Sequence, residues 1–93
     1  MFQGKTMSAF FQNMRLDYID YSLSVHGEIS RPDLMTTFGI SIAQASADLA
    51  AFERIHPGVM YYDRNRKRYR PFKEGVSVRH WTTRQGRIMF LVG

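Results

Sequence analysis

Two helical patterns in the middle of the chain are separated only by Gly39 and Ile40, and this spacing limits the fold more than any other feature of the sequence. Phe38-Gly39-Ile40 reads as a helix end, a glycine able to take positive φ, and an apolar residue that pins the turn; Ser41 can then cap a new helix. Along Ser41 to Arg54, SIAQASADLAAFER, a helical period puts Ala45, Leu49 and Phe52 on one stripe. Ala43, Ala47, Ala50 and Arg54 lie opposite, flanked by Gln44 and Ser46. One face is core, and the other carries mostly short side chains. A helix that enters the major groove of DNA needs such a thin profile, with Gln and Ser available for base edges.

Upstream, residues 1–7 open with MFQGKT, which shows no periodicity and reads as a mobile arm; Met7 is a candidate internal start. From Ser8 to about Val25 the pattern is helical, with Phe11, Arg15, Tyr18 and Ser22 on one row and Leu16, Ile19 and Leu23 on another. Apolar residues cover so much of its circumference that a second contact is expected beyond the core, through Phe10, Phe11 and Met14. His26-Gly27-Glu28 ends this helix. Ile29 leads to a new start at Ser30-Arg31-Pro32-Asp33, where Ser30 caps, Pro32 lacks an N–H that would be unpaired anyway, and Asp33 suits the helix dipole. Leu34 and Phe38 supply the buried side of this short helix.

After the breaker His56-Pro57-Gly58 the period changes to alternation. Val59 to Tyr62 and Lys67 to Arg70 read as strands joined by the turn-like Asp63-Arg64-Asn65-Arg66, a hairpin over 59–70. Arg66, Arg68 and Arg70 share one face, and Tyr69 faces the core beside Met60 or Tyr62. Val76–Trp81 and Arg87–Val92 suggest a second hairpin, whose last strand is too apolar to remain a bare edge. The predicted fold class is α+β: a winged helix-turn-helix of three helices followed by a β-hairpin wing over 8–73, with a C-terminal strand pair, possible dimerisation material, over 74–93.

Charge sharpens the functional reading. Residues 1–54 carry four Lys/Arg against six Asp/Glu, net −2, and residues 55–93 carry nine against two, net +7, which together give the chain's +5. Such asymmetry favours a polyanionic partner, with a merely solubilising basic surface as the alternative. There is no cysteine, which removes thiol catalysis and Cys-based zinc sites. No apolar run approaches the roughly 20 residues of a membrane span and no signal-peptide order is present, so a cytoplasmic location is expected. With 93 residues, one core is only marginally sufficient and dimerisation would add burial.

The segment Arg15 to Tyr69 resembles the N-terminal DNA-binding domain of the WYL-domain transcriptional regulators associated with bacterial phage-defence operons. The resemblance is carried by RLDYIDYSL, ISRPDL, FGIS followed by QAS-x-DL, and YD before a basic turn and Tyr. It implies a dimeric repressor whose second turn helix reads an inverted-repeat operator. Those regulators continue into a WYL domain thought to sense a ligand, for which 93 residues leave no room. The chain is then either a freestanding module or part of a longer regulator, and no small-molecule ligand is carried over.

By mechanism, Gln44 can meet adenine bidentately, Ser46 can bond a base or phosphate, and Ala43 and Ala47 can meet thymine methyls, with Ser41 and Ile42 at the same helix start. Arg31 is placed for a phosphate, and Arg64, Asn65, Arg66, Lys67 and Arg68 for backbone or minor groove. The competing readings are a packed alanine face, a solvated hairpin, a protein-interaction module on the same scaffold, and RNA binding through Tyr61, Tyr62 and Tyr69, which look mainly like strand-packing residues. Catalysis is not expected: His26, His56 and His80 lack metal-ligand spacing, no phosphate-binding glycine loop occurs, and Asp17 and Asp20 read as solvated or paired with Arg15. No cofactor or metal is implied.

Overall fold

The computed structural model describes the backbone of residues 4–73 and the side chains of residues 8–73. Three helices, α1 (Gly4–Tyr21), α2 (Arg31–Phe38) and α3 (Ile42–Ile55), precede an antiparallel hairpin of β1 (Met60–Asp63) and β2 (Arg68–Pro71). This is the expected winged helix-turn-helix order. The C-terminal strand pair and the 74–93 extension, with His80, Ile88, Phe90 and Val92, lie outside the described residues.

The helix starts follow from their caps. Ser30 accepts from the Asp33 N–H at 3.2 Å while the Asp33 carboxylate accepts from the Ser30 N–H at 3.0 Å, a reciprocal capping box. Ser41 accepts from the Gln44 N–H at 3.0 Å and so starts α3. Between the two, Gly39 closes α2 in the left-handed region at φ 67°, its N–H donating to the Met35 carbonyl at 2.8 Å. A β-carbon there would find open space but a backbone that L residues resist. The turn is therefore conformational in origin rather than a matter of close packing.

Ile19, Leu23, Ile29, Leu34, Ala45, Leu49, Phe52 and Met60 form one buried cluster, covered by Leu16, Tyr18, Met35, Phe38, Ile40, Val59 and Tyr69. The stripe Ala45, Leu49 and Phe52 supplies α3's share, as its period requires.

Several local expectations are corrected. Backbone helix begins at Gly4, so residues 4–7 belong to α1 rather than to an arm. After Tyr21 the helix widens into a π-helical turn, Ser22–His26, closed by Gly27 at φ 79° with its N–H on the Ser22 carbonyl at 2.9 Å. The strands run one residue later than read. Ile29, expected only as a lead-in, exchanges two backbone hydrogen bonds with Tyr69, at 3.0 and 2.8 Å, and so forms a single antiparallel bridge to the wing. That bridge ties the start of α2 to the hairpin.

Candidate nucleic-acid interface

The outer face of α3 is as thin as its sequence predicts. Ser41, Ile42, Ala43, Ser46, Ala47, Ala50 and Arg54 are exposed, and Ile42 keeps 58% of its surface. Among these, Ser41 is engaged in capping, so Ser46 is the uncharged side chain with a free-facing hydroxyl for a base or phosphate.

Gln44 behaves differently. It is half-buried, and its Nε2 donates to Asp48 Oδ1 at 2.9 Å. Asp48 is fully buried and is held by Arg15 of α1, with Nε 2.5 Å from Oδ2 and Nη2 3.3 Å from Oδ1. Arg15 therefore pairs with Asp48 across the α1–α3 contact. Asp20 is also buried rather than solvated. Half of this pair had a sequence signal: positions 45, 48, 49 and 52 form a single helical stripe, so Asp48 falls among core residues and demands a cation, although the stripe does not say which.

The wing divides into a tied base and a free tip. Tyr62 opposes Tyr69 in the hairpin register, their rings 4.9 Å apart, and Asp63 opposes Arg68. Arg68 reaches back to the start of α2, with Nη1 2.9 Å from Asp33 Oδ2 and Nε 3.5 Å from Glu28 Oε2. Arg70 adds a contact to Glu28 at 3.5 Å. Asp33 thus caps α2 and anchors the wing with the same oxygen.

At the tip, Asp63 Oδ1 accepts from the N–H groups of Asn65 and Arg66 at 3.0 and 3.1 Å, and Lys67 donates its N–H to the Asp63 carbonyl at 2.7 Å. This turn presents Arg64, Asn65, Arg66 and Lys67 to solvent, with Arg66 3.5 Å from the Asp63 carboxylate. Lys67 sits at φ 58°, the one non-glycine residue in the left-handed region among the described residues.

Arg31 lies between these two surfaces. Its guanidinium carbon is 6.0 Å from the Tyr62 ring centroid, along a shallow cleft shared with Ser46, Ala50 and Tyr61. Tyr61 and Tyr62 retain 40% and 39% of their surface, more than strand-packing residues would, although Tyr61 rests on Phe72 at 5.0 Å. On α1, Phe10 and Phe11 remain 56% and 48% exposed, and Met14 is half-buried. Among the described residues no helix is long and apolar enough to cross a membrane.

The geometry combines a low-relief helix face, uncharged from Ile42 to Ala50, with a cationic tip on the hairpin, a division of labour suited to reading duplex DNA. Comparison with known proteins agrees. A family model described as the BrxR transcriptional regulator winged helix-turn-helix domain matches residues 12–83. The chain is 38% identical over 71 residues to the DNA-binding transcriptional repressor CapW of Escherichia coli strain KTE188, covering 76% of this chain and 24% of that protein. It is 39% identical over 66 residues to the repressor of the same name from Stenotrophomonas maltophilia, covering 71% and 22%, and 35% identical over 68 residues to that of Pseudomonas aeruginosa, covering 73% and 23%. The match thus spans about a quarter of the length of these curated relatives. The segments RLDYIDYSL, ISRPDL and QAS-x-DL lie within the matched residues, and this chain belongs to the BrxR transcriptional regulator winged helix-turn-helix domain family.

Proposed function

We propose that this domain binds duplex DNA sequence-selectively as the operator-reading part of a transcriptional repressor, acting in the cytoplasm. The observation that carries the reading is the pairing of α3's exposed, short-chain face with a wing tip whose Arg64 and Lys67 point to solvent. In this arrangement α3 enters the major groove, where Ser46 reaches a base edge or phosphate and Ile42, Ala43 and Ala47 meet thymine methyls. Arg31 and the wing tip bind the flanking backbone and fix register. The relatives' printed name, DNA-binding transcriptional repressor, supports the same assignment.

Exposed Phe10 and Phe11 on α1 support a homodimer, since apolar rings at this exposure call for cover. A two-fold pair would set its recognition helices one turn of DNA apart, about 34 Å, and would read an inverted repeat.

Selection of bound sequences from a random duplex pool, followed by titration across salt, tests the proposal. Enrichment of an inverted repeat and a steep fall of affinity with salt are expected. No enrichment, together with salt-insensitive capture of a protein partner, would replace DNA binding with a protein-interaction role. Sedimentation at micromolar concentration checks the dimer, and a monomer that binds single half-sites would overturn it.

A further inference from the structure

We infer that Asp48 is the positioning residue for base readout by Gln44: clamped by Arg15, its carboxylate sets the orientation of the Gln44 amide before DNA arrives. The inference rests on the operator reading above.

Gln44 and Asp48 are four residues apart on α3 and so share a row of the helix surface. Asp48 has no exposed surface, and a carboxylate so buried requires compensation. Arg15 supplies it from α1 through Nε and Nη2, and its side chain is itself only 12% exposed. The pair is electrically neutral and, crossing between two helices, is fixed in place.

An ionised carboxylate only accepts hydrogen bonds, so the group of Gln44 turned towards it must be the NH2 and not the carbonyl. The 2.9 Å contact from Nε2 to Oδ1 therefore decides the flip of an amide whose two ends would otherwise be interchangeable. One N–H is used by Asp48. The second N–H and Oε1 remain, side by side, as the donor and acceptor that adenine's N7 and N6 amino group require.

A flexible exposed glutamine would have to find this orientation on binding and lose rotamer freedom in doing so. Here the ordering is already present in the free protein, with Gln44 half-buried along a cleft wall beside Met14, Arg15 and Phe38. Arg15 and Asp48 thereby act on recognition without touching DNA.

The test uses a duplex recovered from the random-pool selection, with each base pair substituted in turn. Gln44→Ala first identifies the position that depends on the amide. Asp48→Asn, nearly isosteric but able to present an NH2 of its own, should then cut discrimination at that position by about tenfold, the size of one lost base contact. Affinity for random-sequence duplex should stay within about twofold, because no phosphate contact is removed. In a Gln44→Ala background, Asp48→Asn should change nothing further at that position.

Melting curves establish which variants fold. If Asp48→Asn does not, Arg15→Lys provides the second perturbation, and nuclear magnetic resonance of the unaltered protein provides a third: the Gln44 NH2 should be motionally restricted and slow to exchange. A Gln44 amide averaged like that of a free side chain overturns the inference. So does unchanged discrimination in the folded variants, a uniform loss at every position, or the absence of any Gln44-dependent position while operator binding persists. Failure of the unaltered domain to bind any duplex would be a different result, overturning the operator reading itself and this inference with it.

Discussion

The outward face of α3 carries Ile42, Ala43, Ser46, Ala47 and Ala50, none of them charged, whereas the wing carries Arg64, Arg66, Lys67, Arg68 and Arg70 within seven consecutive positions. Both surfaces belong to the proposed DNA interface, yet charge counted along the sequence misjudges each. Under the uncharged helix lies a buried ion pair, Arg15 with Asp48. On the basic wing, two of the five cations turn inward: Arg68 to Glu28 and Asp33, and Arg70 to Glu28. On α3 the one buried charge, Asp48, is structural, and the exposed charges Glu53 and Arg54 lie at its C-terminal end. Charge on the wing is partly structural at the base and open to solvent at the tip.

The largest expected effect breaks the hidden pair. Asp48→Ala strands the guanidinium of an arginine whose side chain is 12% exposed, and losing one partner of such a pair costs about 3–5 kcal/mol. At roughly 4–8 °C per kcal/mol for a domain of this size, the melting temperature should fall by more than about ten degrees. Arg68→Ala, removing an ion pair whose members are all about a third exposed, should cost no more than about 1 kcal/mol. Equal losses in thermal melts would erase the contrast between the two regions.

Next comes salt. Arg64→Ala with Lys67→Ala should lower the log–log salt slope of duplex binding by roughly 0.9 for each lost phosphate contact. Arg68→Ala should leave the slope nearly unchanged, because its guanidinium faces Asp33 and Glu28. A slope that responds equally to Arg68 would mean that the wing base opens on DNA.

These distinctions show what was legible from sequence. The helix starts were, because capping is local: Ser30 with Asp33, and Ser41 with Gln44, lie within one turn. The core stripe of α3 was legible from its period alone. The limits of the wing strands were legible to within a residue, since the β-prone run Val59 to Tyr62 and the stretch around Tyr69 flank a turn-like sequence, whereas sequence alone left Tyr69 beside either Met60 or Tyr62. By contrast, Arg15 with Asp48, Arg68 with Asp33, and Ile29 with Tyr69 connect residues far apart in the chain, and no local rule proposes such partners. The tip residues Arg64 to Lys67 were placed correctly as exposed, while Arg68 was grouped with them because strand alternation tells a face but not what covers it.

A smaller effect probes the helix. If Ile42, Ala43 and Ala47 meet thymine methyls, replacing thymine by uracil in the selected duplex should weaken binding by about 0.8 kcal/mol per buried methyl, a few-fold each. The salt slope should not change, since no charge is involved. Ile42→Ala should blunt the uracil effect, as Ile42 carries the largest exposed apolar surface on that face. Full affinity on an all-uracil duplex would shift selectivity from these apolar side chains to Ser46 and Gln44 or to DNA shape.

The smallest effect lies at Lys67. Its φ of 58° holds an L residue in the left-handed region, which costs about 1–2 kcal/mol elsewhere and is tolerated more readily by Asn. The turn cannot relax easily: Lys67 N–H is fixed on the Asp63 carbonyl, and Asp63 Oδ1 holds the N–H groups of Asn65 and Arg66, two of the three residues between. A long cation thus occupies a position that suits Asn or Gly better, at a cost in stability. Lys67→Asn should leave the melting temperature unchanged or raise it by up to about 1 kcal/mol equivalent, while lowering the salt slope by roughly 0.9. Stability and binding would then move in opposite directions at a single residue. A variant that melts lower would show instead that the lysine stem packs against the hairpin, and the tip would join the wing base as structure rather than contact.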